Sequence, residues 1–301
     1  MPSTTLTVKT DELLITFVQD GSSDGWPVVL SHGFPYDVHA FDQVAPLLVE
    51  RGARVIRPYL RGFGPTSFLA PSTMRSGQQA ALGRDLIALL DALGIKDAIA
   101  AGFDWGGVAS CVAAALWPER VKGLVSYASY DIVDVAGQRG AVYPGLEKVC
   151  WYQHLFQTER GRDCLTRYRQ ELCFLLWREW SPDWTFDEVT FKKTARAFDN
   201  PAFVDVVIHC YRFHFGLAEG DPRLDSLERT LATKPRIDVP AVTLDGLDDP
   251  LKPGGTAQHA EMFINRHEHR VIKAGHNVPQ EAPMAFADAV LTVHRWTTGS
   301  C

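Results

Sequence analysis

Apolar and polar positions alternate in a strand-and-helix rhythm over residues 5–125, lose it over 129–235, and recover it to the end of the chain. Residues 5–8 and 13–18 alternate or run apolar and predict two strands. The polar turn Lys9-Thr10-Asp11-Glu12 joins them into an antiparallel start to a sheet. Residues 26–31 predict a third, buried strand ending at His32-Gly33-Phe34-Pro35, and 38–49 carries helical spacing through Phe41, Val44, Leu47 and Leu48. A strand over 53–56 leads into Pro58-Tyr59-Leu60-Arg61-Gly62-Phe63-Gly64. Over 76–93, Leu82, Leu86, Leu89, Leu90 and Leu93 share one helical stripe. A short strand at 97–100 then runs through a tight turn into a small-residue helix at 108–116, followed by a strand at 121–125. Strands alternating with helices at this spacing predict βαβ units and a mostly parallel sheet.

The stretch 129–235 has helical spacing without clear strand runs and holds Trp151, Trp177, Trp180 and Trp184 among many Phe and Tyr. It reads as a helical cap inserted into a core domain formed by 1–128 and 236–301. Such aromatics suit an apolar pocket, although packing within a helical subdomain accounts for most of them. The sheet pattern resumes with strands at 239–244 and 269–273 and closes with a helix over 283–296.

Chemistry concentrates at the predicted strand ends, where ligands sit in sheets of this kind. Gly102-Phe103-Asp104-Trp105-Gly106-Gly107 has the form Gly-x-X-x-Gly, with Asp104 where serine hydrolases place the nucleophile on a strained strand-to-helix turn. An ionised carboxylate there is a nucleophile for carbon electrophiles. An aspartate before a glycine-rich helix start is also an ordinary N-cap, so this motif alone decides little. Asp249 and His276 fall at two later strand ends, giving the order nucleophile, acid, base. Asp248 leaves the acid open by one residue. His267 and His269, two apart on a strand, lack an evident third metal ligand and read as surface strand. His209 and His214 flank Tyr211 and either line a pocket or pack the cap.

Composition removes several function classes. A formal net charge of −6 argues against nucleic acid or an anionic membrane as partner, and 46% hydrophobic residues suit a substantial core. Neither a signal peptide nor a membrane-spanning apolar run is evident, so a cytoplasmic protein is expected. The six cysteines, Cys111, Cys150, Cys164, Cys173, Cys210 and Cys301, have no regular spacing and read as reduced thiols. With no phosphate loop and no flavin or nicotinamide fingerprint, neither a cofactor nor a metal is expected.

Taken together, His32-Gly33-Phe34-Pro35, Arg61-Gly62-Phe63-Gly64, the Asp104 elbow, Gly246-Leu247-Asp248-Asp249-Pro250 and Gly275-His276 resemble the α/β-hydrolase fold. The likeness is to the epoxide hydrolase group, which shares these motifs with haloalkane and haloacetate dehalogenases. It implies a mostly parallel sheet flanked by helices with an inserted helical cap. It favours Asp249 as the acid, from its register after the glycine and the proline that follows it. Two cap tyrosines that hydrogen-bond and protonate an epoxide oxygen are implied at Tyr152, within Trp151-Tyr152-Gln153-His154-Leu155-Phe156-Gln157, and at Tyr211, within Tyr211-Arg212. The dehalogenase pattern fits less well. Phe34 stands where an asparagine halide ligand is common, and Trp105 where fluoroacetate dehalogenases carry arginine. Departures from the epoxide hydrolase pattern are Tyr59, Phe103 and Asn277, which bear on substrate range and pH profile.

The implied reaction converts an epoxide and water to a vicinal diol. Asp104 attacks a ring carbon to form an ester, and His276, oriented by Asp249, activates the water that hydrolyses it. The backbone N–H groups of Phe34 and Trp105 form the oxyanion hole, and His32, Phe34, Trp105 and Trp151 contact the substrate. Monomer or homodimer is expected, with a modest-sized, apolar-to-aromatic epoxide as ligand. The alternatives are a haloalkane or haloacid dehalogenase using the same ester, and a binding protein of low turnover on the same fold.

Overall fold

The computed structural model describes residues 3–299, so Cys301 lies outside the described residues. Among the described residues, nine strands form one sheet: β1 (Thr4–Lys9), β2 (Leu13–Asp20), β3 (Trp26–Ser31), β4 (Ala53–Pro58), β5 (Ser67–Phe68), β6 (Ala98–Gly102), β7 (Val121–Tyr127), β8 (Ala241–Gly246) and β9 (His267–Ile272). The order is β1-β2-β4-β3-β6-β7-β8-β9, with β5 paired to β2. β2 pairs antiparallel with β1, β4 and β5, and every pairing from β4 to β9 is parallel. The central strands β6 and β8 are buried at every residue, as expected of parallel strands covered on both faces. The apolar sequence of β6, Ala-Ile-Ala-Ala-Gly, fits that place, and β8 buries Thr243 and Asp245 among its apolar residues.

The flanking helices are α1 (Val44–Val49), α2 (Gln79–Ala92), α3 (Trp105–Leu116) and, near the end of the chain, α11 (Val278–Glu281) and α12 (Pro283–Thr298). α2 packs on α3 and α1 on α12, and both pairs lie against the sheet. The predicted helix over 38–49 is split instead into a 3₁₀ turn at Val38–Phe41 and α1. Pro46 has no N–H, so it sits in the first turn of a helix that starts afresh at Val44. The helix predicted from 76 begins at Gln79, because Gly77 is pressed against Cys210 and its N–H donates to His209 Nδ1 at 3.0 Å.

Between β7 and β8 lie α4 (Pro144–Val149), α5 (Trp151–Phe156), α6 (Glu159–Arg167), α7 (Arg169–Trp180), α8 (Glu188–Ala195), α9 (Phe203–His214) and α10 (Asp225–Leu231). Trp177 fastens this layer to the sheet: it is fully buried, stacks on Tyr36, and donates from Nε1 to Pro35 O at 2.8 Å. No described helix is long and apolar enough to cross a membrane.

Candidate active site

β6 ends at Gly102 and the chain turns sharply into α3 through Asp104, whose φ of 52° and ψ of −128° are unfavourable for a residue with a Cβ. Small neighbours permit the turn. A Cβ on Gly106 would strike Ser31 O, and one on Gly33 would strike the Asp104 carboxylate. Asp104 Oδ1 accepts from Phe34 N and Trp105 N, both at 2.7 Å. Oδ2 lies 3.4 Å from His276 Nε2 without hydrogen-bond geometry. One oxygen is thus clamped by two N–H groups, and the other is left to react.

His276 Nδ1 is 2.9 Å from Asp249 Oδ2. That oxygen also accepts from Tyr127 Oη at 2.7 Å, and Oδ1 accepts from Leu251 N at 2.8 Å. Burial opposes charge on Asp249, but His276 and these donors hold its carboxyl below the usual range. Burial alone would lower His276; the Asp249 charge and its contacts with Asp104 and Asp249 outweigh it and raise the imidazole to about 10. Asp248 points elsewhere and pairs with Lys273 at 2.6 Å.

Above this line lies a cavity of about 320 Å³ lined by Asp104, Trp105, Tyr152, Tyr211 and His276, among others. Tyr152 on α5 and Tyr211 on α9 meet edge to face, with ring centroids 5.3 Å apart. Both are buried, and burial first, then neighbouring negative charge, pushes both phenols well above 10. They stay protonated at neutral pH. Phe34 packs between them and Trp105, with centroids 5.7 Å from Tyr211 and 5.8 Å from Trp105.

Three residues expected to touch substrate do not line the cavity: His32, Trp151 and Phe34, whose fully buried ring instead packs behind the tyrosines and Trp105. His32 is fully buried behind the elbow: Nδ1 contacts Gly33 O at 3.0 Å and Nε2 accepts from Leu60 N at 3.1 Å. Burial lowers its pKa to about 4, so it is a neutral brace between two loops. Trp151 turns outward and donates to Glu179 at 2.9 Å. His209 braces α9 against Gly77 and Glu219 O, while His214 does line the cavity. His267 and His269 face the same way, as their spacing predicts, and both meet Thr243 Oγ1.

Tyr127, Glu281, Asp131 and Lys252 carry no local motif and were not singled out by the sequence. Tyr127 sits at the end of β7, a strand-end signal two residues beyond the predicted boundary. Glu281 has no sequence signal at all. It accepts from Gly275 N at 2.7 Å, from Asn277 N at 3.0 Å and from Ser181 Oγ at 2.6 Å. It therefore grips the backbone on both sides of His276 and ties that loop to the end of α7 at Ser181. Glu281→Ala is expected to lower kcat by about 100-fold through misplacement of the imidazole, with KM little changed. Glu281→Gln, which keeps an acceptor oxygen, should recover part of the loss, and steady-state kinetics on the pair checks this.

The α/β-hydrolase fold family matches residues 27–283. Bifunctional epoxide hydrolase 2 of Sus scrofa is 36% identical over 110 residues, covering 36% of this chain and 19% of that protein. Epoxide hydrolase A of Mycobacterium tuberculosis is 31% identical over 119 residues, 40% of this chain and 36% of that protein. The matched segments thus span well under half the length of these curated relatives. A solved structure from Klebsiella pneumoniae, provisionally assigned as an epoxide hydrolase, is 42% identical and superposes with a TM-score of 0.95 over 97% of both chains. The chain belongs to the α/β-hydrolase fold family and, within it, to the epoxide hydrolase group.

Proposed function

We propose that this chain is an enzyme that hydrolyses epoxides to vicinal diols through an Asp104 ester, with 129–235 acting as the cap over the site. The observation that carries the reading is the union, in one cavity, of a carboxylate with one free oxygen and two phenols held protonated. An epoxide needs both at once, because its carbon is sp³ and its leaving group is an alkoxide.

Asp104 Oδ2 attacks a ring carbon, the carbon–oxygen bond breaks, and a phenol of Tyr152 or Tyr211 protonates the oxygen. Oδ1 becomes the ester carbonyl, still clamped by the N–H groups of Phe34 and Trp105. His276 takes a proton from water as that water adds to the carbonyl carbon, and the same two N–H groups receive the charge on Oδ1. Collapse returns the His276 proton to the departing alkoxide. The carboxylic proton left on Asp104 is lost and replaces the one that the phenol gave up, so epoxide and water become diol. The Klebsiella pneumoniae relative and the epoxide hydrolases of Sus scrofa and Mycobacterium tuberculosis support this choice of substrate class.

Product analysis tests the proposal. Wild-type protein, offered an alkyl or aryl epoxide beside a haloalkane, is expected to give diol and no halide. The Tyr152→Phe, Tyr211→Phe double variant should remain folded and lose at least about 100-fold in diol formation, the range of one positioned general acid. Halide release without diol would assign the site to dehalogenation, and undiminished diol from the double variant would move the acid elsewhere.

A further inference from the structure

The cavity wall also carries polar groups that epoxide opening does not use. Just past β7, Ala128 and Ser129 have φ of 67° and 66°, two successive non-glycine residues in the left-handed region. Each is disfavoured for a residue with a Cβ and persists only where its surroundings impose it. The result is that Tyr130 and Asp131 turn into the cavity wall. The Asp131 side chain is 9% exposed, and its Oδ2 is buried without a hydrogen-bond partner. Oδ1 stands 3.7 Å from Lys252 Nζ, close enough for charge attraction and too far for a hydrogen bond. Gly107 makes room for this carboxyl, since a Cβ there would meet Oδ2. With Oδ2 turned to that glycine, Oδ1 is the carboxyl oxygen left to bond a group in the cavity.

Resting on the epoxide reading, we propose that Asp131 and Lys252 form a subsite that hydrogen-bonds a hydroxyl group carried by the substrate away from the epoxide ring. Charge selects this group over the others. A substrate carboxylate would meet Lys252 but also Asp131 and Asp104, and an ammonium group would meet Lys252 itself. Asp134, further along the wall, is already paired with Lys234 at 2.6 Å, and burial lowers His214 to about 4, so it adds no charge. A hydroxyl donates to Asp131 Oδ1 and accepts from Lys252 Nζ, bridging two groups 3.7 Å apart without adding charge. The substrate class is therefore an epoxy alcohol, with an apolar stretch against Trp105 and Val108 between its two polar ends.

The test compares 1,2-epoxyalkanes with ω-hydroxy-1,2-epoxyalkanes of equal chain length, using wild type, Asp131→Ala and Lys252→Met. Wild type is expected to favour the hydroxylated member of the best-fitting pair by about 10-fold or more in kcat/KM, and the ratio should fall toward one in each variant. Calorimetric binding of the matching 1,2-diols and 1,2,ω-triols reads the same preference without turnover. Should no epoxide be opened while the triol still binds more tightly than the diol in wild type and not in the variants, the subsite stands and the epoxide reading fails. A wild-type ratio near one, a ratio preserved in both variants, or a preference for ω-carboxy or ω-amino epoxides would overturn the subsite.

Discussion

Asp104→Ala is expected to lower diol formation by roughly 10⁴-fold or more, the scale on which loss of a covalent nucleophile is felt. Asp104 is the carboxylate in the cavity whose two oxygens are already differentiated, with Oδ1 held by two N–H groups at 2.7 Å and Oδ2 facing the cavity and His276. Asp131, the other buried carboxylate in that wall, lacks such donors, and burial raises it to about 7 against the opposing pull of Lys252, which weakens it as a nucleophile. The protein itself should tolerate the change. Asp104 sits at φ 52° and ψ −128°, so Asp104→Gly removes backbone strain and should melt no lower than wild type while being equally inactive. Circular dichroism melts beside activity assays separate lost chemistry from lost fold. Single turnover in ¹⁸O-labelled water gives a further check, since the first diol should carry an unlabelled oxygen from Asp104. Label in that first diol would mean direct attack by water.

Much of this was legible in the chain because the fold repeats one physical theme. Apolar runs such as Val28-Val29-Leu30 and Ala98-Ile99-Ala100, spaced between helical stretches, fit strands buried on both faces, and the glycines around Asp104 mark close backbone approach. Boundaries were less legible. Pro46 and Gly77 each moved a helix start, and β9 begins at His267 rather than 269 because pairing with β8 extends it. Side-chain direction was the least legible. His32 lies in the same loop as Phe34, yet points back to brace Leu60 N, and Trp151 is adjacent to Tyr152 on α5 but faces Glu179 on the outside. Adjacent helical residues diverge by about 100°, so a motif that places Tyr152 inside places its neighbour outside. Tyr127, Glu281 and the Asp131–Lys252 pair act across long separations, which no local pattern encodes.

His276→Gln should leave ring opening intact and stop the cycle afterwards. In the resting protein the imidazole lies between two carboxylates, which together raise it to about 10, so at neutral pH it is charged and cannot act as a base. Esterification removes the Asp104 charge and with it part of what raises His276. The imidazole then falls below about 10, gives its proton to solvent and becomes a base only once there is an ester to hydrolyse, taking a proton back when the Asp104 carboxylate reforms. The sign follows directly. Ester hydrolysis should rise with pH through the pKa of the esterified state, which lies below about 10, whereas ester formation should not follow that titration. With glutamine in place of His276 there is no base, and one equivalent of ester should accumulate and persist, with steady-state turnover lower by roughly 10³-fold or more. Intact mass spectrometry after a brief exposure to epoxide reads this as one added substrate mass, located on the peptide containing Asp104. Normal turnover without accumulated ester would exclude His276 as the base, and an adduct on any other residue would exclude Asp104 as the nucleophile.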